Sequence, residues 1–571
     1  MSYFLKKTNN NKGTYLQIYS SFYSRARLQT IHKSHQAIGY VHELEAQGIS
    51  DPIKHFQEKV DELNQEFKYT KEVEKKKKIS SDSPETFLGY CLHRSLNEKL
   101  GIKGQMTFMQ AGENFKFNIY DFMSALVYSR LVRPCSKYKT YENVIPKLFE
   151  KNEFSMNQMY AGLEFIGSQY ERIIEIYNHQ IKKVFNIDTS QTYFDCTNFY
   201  FEIDKEDDFR RKGPSKENRK EPIVGLGLLL DANQIPIGMK LYPGNCSEKP
   251  IFREVINELK ERHSITGRTI QIADKGLNCA ENIYTAAKNM DGYIFSKSVR
   301  QLPEIEQTWV LLPNDYQEIK DKDGNLLYKM KECIDDFKYT FTDDSGSSKS
   351  FVIREKRIVT YNPKLAEKQI YEIRKQVEKA TMLCLSKAKK SEFGDCAKYV
   401  NFSPIDKEGN ATKDKIKISI NQKLVNKAIQ LAGYNLLVTS EINMSGTAIY
   451  DAYHNLWRIE ESFRMIKSQL DARPVYLQKI NTISGHFLIC YISVLLTRLL
   501  QFKILQNKYS TETIFDFVHD FRVVKAGKTE YINLTKLSPF IEGISKQFRF
   551  LFSSYYFNDS EIKKMLNLSL K

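Results

Sequence analysis

The sequence predicts an α/β protein of several domains, and three observations support this prediction. The chain has 571 residues, which at about 150 residues per domain favours about three to four domains. Hydrophobic residues make up 41% and charged residues 27%, so the chain can bury large cores and is neither disordered nor collagen-like. Between residues 192 and 273 the patterns follow the order β-β-β-α-β, which is typical of a mixed sheet with a crossover.

The first 80 residues are predicted to form a small basic sheet and a helix. Two β-prone runs, Thr14–Phe22 and Leu28–Tyr40, flank Arg25 and Arg27. A helix is predicted from Pro52, since proline suits the first helical position and apolar residues then follow at alternating spacings of three and four.

The remaining elements divide the chain into four further parts. Residues 81–185 have helical periodicity and are predicted to be a helical layer. Residues 186–295 carry the β-β-β-α-β pattern, and a strand followed by long helices resumes at 434–510. The stretch 296–433 is heterogeneous and is predicted to be an insertion, and 511–571 are predicted to be a C-terminal helical region.

The most apolar stretch, Phe487–Leu500, is predicted to be a buried helix rather than a membrane span. Ser493, Thr497 and Arg498 interrupt it, and it is shorter than the ~20 residues that cross a bilayer. The polar segment Met1–Lys12 does not resemble a signal peptide. We therefore expect a cytoplasmic protein with no membrane partner.

The charge balance favours a polyanionic partner. Lys and Arg number 85 against 69 Asp and Glu, a formal net charge of +16, so nucleic acid is the first candidate. The nine cysteines never form Cys-x-x-Cys, which fits a reducing compartment. His32, His35 and His42 have no cysteine nearby, and a zinc site is not expected there.

Two aspartates are candidates for a metal-dependent site. Asp195 lies within an aromatic strand, where a carboxylate is costly unless something pairs with it. Asp274 directly follows the apolar strand Ile270–Ala273, at the strand end where open α/β sheets bind ligands. An edge-strand position for Asp195 and a turn position for Asp274 remain alternatives, and Asp188 competes with Asp195 for the role.

A predicted amphipathic helix from Ile449 to about Lys467 supplies a third acid. At about 100° per residue, one stripe of this helix is apolar, and a second carries Tyr453, Glu460, Arg464 and Lys467. The alternative is a solvated face on which Glu460 and Arg464 form an ion pair.

These residues resemble the DDE-class insertion-sequence transposases. Tyr453, Glu460 and Lys467 fit the family signature Y-x2-R-x3-E-x6-K, and the segments around Asp195 and Asp274 resemble its first and second aspartate strands. Two stretches between the aspartates, Gly213–Arg219 and Tyr242–Ser247, are also similar to family sequences. The resemblance implies an RNase H-like mixed-sheet core, interrupted by a β-rich insertion and preceded by N-terminal β/α and helical regions.

The resemblance implies that Asp195, Asp274 and Glu460 are catalytic and bind Mg²⁺ or Mn²⁺, as two ions. Two ions held by carboxylates can activate the attacking oxygen and stabilise the leaving oxygen of a phosphoryl displacement. Oxygen ligands suit these ions. The implied partners are double-stranded DNA, both element ends and target, and a second copy of the chain when two ends are paired.

DNA contacts are expected from the helix, from the second strand end and from the N-terminal region. The residues assigned to this role are Tyr453, Arg458, Arg464, Lys467, Lys275, Arg25 and Arg27. The signature arginine falls on Leu456, and Arg464 is the better substitute because it shares the stripe of Glu460.

The predicted activity is metal-dependent DNA cleavage and strand transfer by a bacterial-type transposase that binds terminal inverted repeats. A metal-dependent nuclease without strand transfer is one alternative, and a repurposed, non-catalytic DNA-binding protein is another. Trp309 in the insertion could stack on an extruded base, but a lone tryptophan is more often part of a core.

Overall fold

The computed structural model describes residues 2–24, 29–76, 85–216, 220–262, 264–343, 345–386, 392–404, 416–527 and 529–570. Arg25 and Arg27 lie outside these residues. The chain forms two compact units. The first comprises Met1–Thr86, Arg522–Lys536 and Ser553–Lys563, and the second comprises Phe87–Phe521, Leu537–Phe552 and Lys564–Lys571.

The described residues contain helices and strands in nearly equal number. The helices are α1 Val41–Ala46, α2 Pro52–Lys76, α3 Cys91–Leu100, α4 Lys103–Gln110, α5 Ile119–Val132, α6 Lys137–Lys139, α7 Met156–Ser168, α8 Tyr170–Val184, α9 Glu248–Glu261, α10 Ala280–Lys288, α11 Glu304–Leu311, α12 Pro363–Leu385, α13 Gln422–Gln430, α14 Gly446–His454, α15 Trp457–Arg464, α16 Ile480–Leu499, α17 Thr511–Asp520, α18 Pro539–Phe548 and α19 Asp559–Met565. The strands are β1 Ser2–Asn10, β2 Gly13–Ser24, β3 Gln29–Tyr40, β4 Glu85–Phe87, β5 Gln191–Tyr200, β6 Ile223–Leu230, β7 Pro236–Pro243, β8 Ile270–Ala273, β9 Gly292–Lys297, β10 Gln317–Lys320, β11 Leu326–Thr342, β12 Ser348–Tyr361, β13 Val400–Pro404, β14 Ile416–Ile420, β15 Tyr434–Thr439, β16 Arg522–Lys525, β17 Glu530–Asn533 and β18 Tyr556–Asn558.

The first unit contains two sheets, of which the one formed by β1, β2 and β3 is antiparallel. β1, β2 and β3 form a three-stranded sheet, in which Leu16 packs with Leu44 and Phe56 of the helices. The sequence predicted β2, β3 and α2 but not β1, because β1 is a polar, mostly exposed edge strand. The second sheet has the order β18-β17-β16-β4. The prediction of a helical C-terminal region was therefore incomplete, since three strands lie there as well.

A nine-stranded mixed sheet forms the centre of the second unit, and it confirms the predicted α/β class. Its order is β10-β11-β12-β15-β9-β8-β5-β6-β7. Within it, β5, β6 and β7 are antiparallel, whereas β8 and β9 run parallel to β5. The order β7-β6-β5-β8-β9 is the RNase H-like arrangement. Phe194, Phe252 and Phe295 pack in the core on one face of this sheet.

The insertion is not a separate β domain. Its long hairpin β11–β12 pairs with β15, so the inserted strands extend the core sheet. Periodicity within the strands shows their length but not the partner with which their edge pairs.

The long buried helix predicted from the apolar stretch is α16. A π-helical turn follows it, and Ile480–Ile504 are together long and apolar enough to cross a membrane, but the apolar window is entirely buried inside the protein. Arg498 on this helix is fully buried and is paired with Glu461 at 3.0 Å.

The single helix predicted from Ile449 to about Lys467 was wrong. The structure has α14, a tight turn, α15 and then a π-helical turn at Met465–Gln469. In the tight turn the backbone N–H of Leu456 donates to the carbonyl of Tyr453, a bond across three residues rather than four. Regular helical arithmetic does not detect such a break, because every residue in it is compatible with a helix.

Candidate active site

Asp195 and Asp274 occupy neighbouring positions on two parallel strands, Asp195 within β5 and Asp274 just beyond the end of β8. In the β5–β8 register Phe194 pairs with Ala273, so Asp195 and Asp274 occupy the next pair of positions. β8 ends at Ala273, and Asp274 therefore lies where the chain leaves the sheet. The carboxyl ends of parallel strands are the usual ligand-binding edge of α/β sheets.

The environment of Asp195 disfavours its charge unless a cation is present. Burial raises the pKa of Asp195 to about 6, an effect that Lys216 partly offsets and that Glu248 and Asp274 reinforce. The backbone N–H of Cys196 donates a hydrogen bond to Oδ1 of Asp195 at 2.7 Å. Two carboxylates held this close and partly buried are a natural site for a positive charge.

Tyr453 of α14 fixes the second aspartate. Its hydroxyl donates to Oδ1 of Asp274 at 2.9 Å. Burial first, and then the negative charge of Asp274, raise the pKa of Tyr453 well above its usual value. The phenol therefore stays protonated and remains a donor across the physiological pH range.

Glu460 and Glu461 are neighbours in sequence with different surroundings. Glu461 accepts hydrogen bonds from Arg498 at 3.0 Å and from Thr511 at 2.9 Å, which ties it to the buried helix. Glu460 is exposed, and across the described residues it forms no ion pair with Arg464 or any other base. The structure therefore does not show the predicted alternative of a Glu460–Arg464 pair.

The structure does not bring all three predicted acids into one cluster. Among the described residues, no group of three or more His, Cys, Asp or Glu side chains is arranged to hold a metal ion. Asp195 and Asp274 are adjacent, whereas Glu460 lies on α15, a helix that packs against β5. Nζ of Lys467 lies 5.6 Å from the centre of the ring of Phe199, a residue of β5.

Two residues at the aspartate pair were missed by the sequence analysis. Nζ of Lys216 lies 3.5 Å from Asp195 and 3.7 Å from Glu248, and it also donates to the carbonyl of Cys196. Glu248 begins α9. The stretches around Lys216 and just before Glu248 resemble family sequences, but the sequence alone does not predict these contacts. Because a contact between residues this far apart in sequence depends on the fold, local patterns did not reveal it.

The other predicted residues have varied positions. Lys275 lines, with Asp274 and Tyr453, a cavity of about 480 Å³. Arg464 is exposed on α15. Arg458 stacks on Trp457 with its guanidinium 3.8 Å from the ring centre, and it pairs with Glu461 at 3.3 Å. Leu456 is buried at the turn between α14 and α15.

The structure also places Asp188 and Trp309, the two residues to which the sequence assigned an alternative role. Asp188 precedes β5, at the end opposite Tyr200. Its Oδ1 accepts a hydrogen bond from the backbone N–H of Ser190 at 3.0 Å. Trp309 packs against the core of the sheet, and Nζ of Lys331 lies 4.9 Å from its ring centre.

The adjacent aspartates fit a hard divalent cation, because both donors are carboxylate oxygens. Asp195 and Asp274 would hold such an ion. Lys216 now contacts Asp195, and it would have to give way as the ion bound.

Residues 188–496 match the family model of the transposase DDE domain. Because the match spans more than half of the chain, the protein belongs to the family of transposases with a DDE domain. No curated protein matches the chain. A solved structure of a piggyBac transposase synaptic complex with hairpin DNA is similar at a TM-score of 0.35 and 8% identity, covering 77% of this chain and 82% of that chain.

Proposed function

We propose that this transposase binds the inverted repeats at the ends of a bacterial-type insertion sequence and moves it by cutting and rejoining DNA strands. The observation that supports the proposal is the placement of Asp195 and Asp274 at neighbouring positions on two parallel strands, within the residues that match the family. In this proposal Asp195, Asp274 and Glu460 are the catalytic acids. Two copies of the chain act together when two ends are paired.

Each residue has a separate task in the proposed reaction. When bound, Mg²⁺ or Mn²⁺ supplies the charge that activates an attacking oxygen and stabilises the leaving one. Asp195 is held by the N–H of Cys196 and Asp274 by Tyr453, so both carboxylates are oriented before DNA arrives. Glu460 approaches from α15. Arg464 and Lys467 bind the phosphate beside the scissile bond, and Lys275 binds a neighbouring one.

The reaction needs no protein nucleophile. Water attacks the scissile phosphate and releases a 3′-hydroxyl, and that hydroxyl then attacks a phosphate of the target DNA. Each step breaks one phosphorus–oxygen bond and forms another. The same residues serve both steps.

The test is cleavage of the DNA that flanks the gene, with Mg²⁺, by the full-length protein. Asp195→Asn, Asp274→Asn and Glu460→Gln should each lower cleavage by at least about a thousandfold while DNA binding persists, because each removes a charge used in the transition state. Asp188→Asn is the matched control and should cleave normally. Loss of cleavage in Asp188→Asn but not in Asp195→Asn would refute the assignment of the first acid.

Strand transfer is tested separately by supplying a pre-cut end and a plasmid. Joining of the two supports a transposase. Cleavage without joining would instead identify a metal-dependent nuclease, and DNA binding without either reaction would identify a non-catalytic protein.

A further inference from the structure

The second unit contains a strongly basic cavity of about 650 Å³ that has no part in the proposed chemistry. It lies between the end of α5, α6 and its preceding turn, the segment 471–477, and α16. We call it the Lys137 cavity. The lysine, arginine, aspartate and histidine residues of its lining are Arg130, Lys137, Lys139, Asp471, Arg473 and His486.

The two innermost cations are buried and have no carboxylate partner among the described residues. Arg130 is 4% exposed and Lys137 is 7% exposed, and within the described part of the chain neither forms an ion pair. Nη1 of Arg130 donates to the carbonyl of Leu470 at 3.2 Å. Buried charges without a counter-ion are costly, so the cavity is arranged to receive an anion.

The neighbour of Lys137 is a neutral acceptor rather than an acid. Its Nζ lies 3.2 Å from Nδ1 of His486, whose Nε2 lies 3.0 Å from the carbonyl of Ala472. With Nε2 donating to that carbonyl, Nδ1 accepts from the ammonium. Burial, and then Arg130, lower the pKa of Lys137 to about 7. An anion in the cavity would favour the charged form of the lysine.

The cavity lies near the strand that carries Asp195. The guanidinium of Arg473 lies 5.6 Å from the ring centre of Tyr200, the last residue of β5. Tyr200 is five residues beyond Asp195, which is about 16 Å at 3.3 Å per residue. That span corresponds to about five nucleotides of one DNA strand at 3.4 Å each.

We propose that the Lys137 cavity binds a phosphate group of the DNA backbone, about five nucleotides from the scissile bond. This proposal rests on the proposed function. Arg130 and Lys137 contact the phosphate from inside, and Lys139 and Arg473 are at the mouth. Tyr138 and Tyr476 also line the cavity and are 63% and 68% exposed, so their rings are available to stack on a base or sugar.

The first experiment uses inorganic phosphate as the probe, at constant ionic strength, and measures the melting temperature of the full-length protein. Phosphate should raise the melting temperature of the wild type but not of Lys137→Met. The matched control is Lys331→Met, which removes another buried lysine in the insertion and should keep the phosphate effect. If phosphate raised the melting temperature of Lys137→Met as much as that of the wild type, the proposal would be overturned.

The second experiment maps the phosphate on DNA. Single neutral methylphosphonate linkages are placed along an element end, and binding is measured by mobility shift. A linkage about five nucleotides from the scissile bond should weaken wild-type binding about tenfold and weaken Lys137→Met binding much less. If Lys137→Met does not fold, the wild-type scan still decides, because the absence of any sensitive linkage near that distance would refute the proposal.

The two proposals fail in different ways. Phosphate stabilisation that depends on Lys137, in a protein that neither binds nor cleaves DNA, would leave the cavity as an anion site and refute the proposed function. The cavity proposal alone would be refuted if the protein cleaved DNA normally, phosphate did not raise its melting temperature, and no methylphosphonate linkage near the expected distance weakened DNA binding.

Discussion

Asp195 has an environment unlike that of a surface carboxylate. Its side chain is 21% exposed, and burial raises its pKa from 3.8 to about 6. Between these two values the native protein holds a proton that the unfolded chain has already released. Stability therefore falls as the pH rises through this window, and the ionised residue destabilises the protein above it.

Asp195→Asn is accordingly expected to stabilise the protein, by about 2 kcal/mol at about pH 7.5, because it removes a charge that is costly to bury. The measurement is the urea midpoint of unfolding. The gain should disappear below about pH 3, where the wild-type carboxyl is protonated in both states. Asp188→Asn should show no gain at either pH. An Asp195→Asn variant that is less stable than the wild type at about pH 7.5 would contradict this account.

Lys216 is expected to compete with the metal ion for the same carboxylates. Lys216→Met should therefore bind Mn²⁺ more tightly, by about tenfold, as measured by calorimetry on the protein without DNA. The titration belongs at about pH 8, because removing Lys216 also takes away an interaction that lowers the pKa of Asp195. Lys212→Met in the same loop serves as the control. Weaker Mn²⁺ binding in Lys216→Met would show that the lysine supports the site rather than competing for it.

At the scale of secondary structure, the turn between α14 and α15 divides the helix that the family signature had suggested. The N-terminal part places Tyr453 on Asp274, and the C-terminal part carries Glu460 and Arg464. A single straight helix would fix these two groups relative to each other. Because of the turn, the two helices pack against different strands. α14 lies near β8 and β9, and α15 lies against β5.

Leu456→Arg, which restores the signature arginine, is expected to destabilise the protein rather than improve it. Leu456 is 8% exposed at this turn, so an arginine there would bury its charge at a cost of about 2 to 4 kcal/mol. Thermal unfolding measures the effect. Leu424→Arg, at a position that is 46% exposed, should change stability little. Tighter DNA binding together with unchanged stability would show instead that position 456 can open towards DNA.

Local patterns predicted the core elements well, because their hydrophobic periods are strong. β5, β6, β7, α9, β8 and the buried α16 all follow from such periods. The local patterns did not predict two features of the site. The contact of Lys216 with Asp195 and Glu248 joins residues that are distant in sequence, and no residue type in the sequence marks the π-helical turn after Arg464. The proposed roles of Asp195, Asp274 and Glu460 remain predictions that the cleavage test addresses.

On the scale of the whole molecule, the insertion is part of the sheet that positions the aspartates. β15 pairs with β9 on one side and with β12 of the insertion on the other. Val310 and Val359 of the insertion are fully buried in the same core as Phe295 and Val438. The insertion therefore stabilises the core strands as well as covering them.

Removal of the insertion is expected to cost the protein its solubility. Lys297 and Leu436 are register partners, so an Asn-Gly turn could join them in place of residues 298–435. The shortened chain would expose the edge of β15 and lose buried core side chains, and we expect aggregation or a melting temperature lower by more than about 10 °C. Soluble yield and thermal unfolding measure this. A shortened chain as stable as the wild type would show that the insertion folds as an independent domain.

The position of α14 and α15 after the insertion has a consequence for synthesis. A ribosome that has just made Asp274 must add roughly 190 further residues before Glu460 is made, which takes roughly 10 to 40 seconds at about 5 to 20 residues per second. In the proposed mechanism, a nascent or prematurely ended chain would carry the aspartate pair but neither Tyr453 nor Glu460. An unfinished protein is then harmless to the DNA around it, because the ability to cut is acquired only near the end of translation.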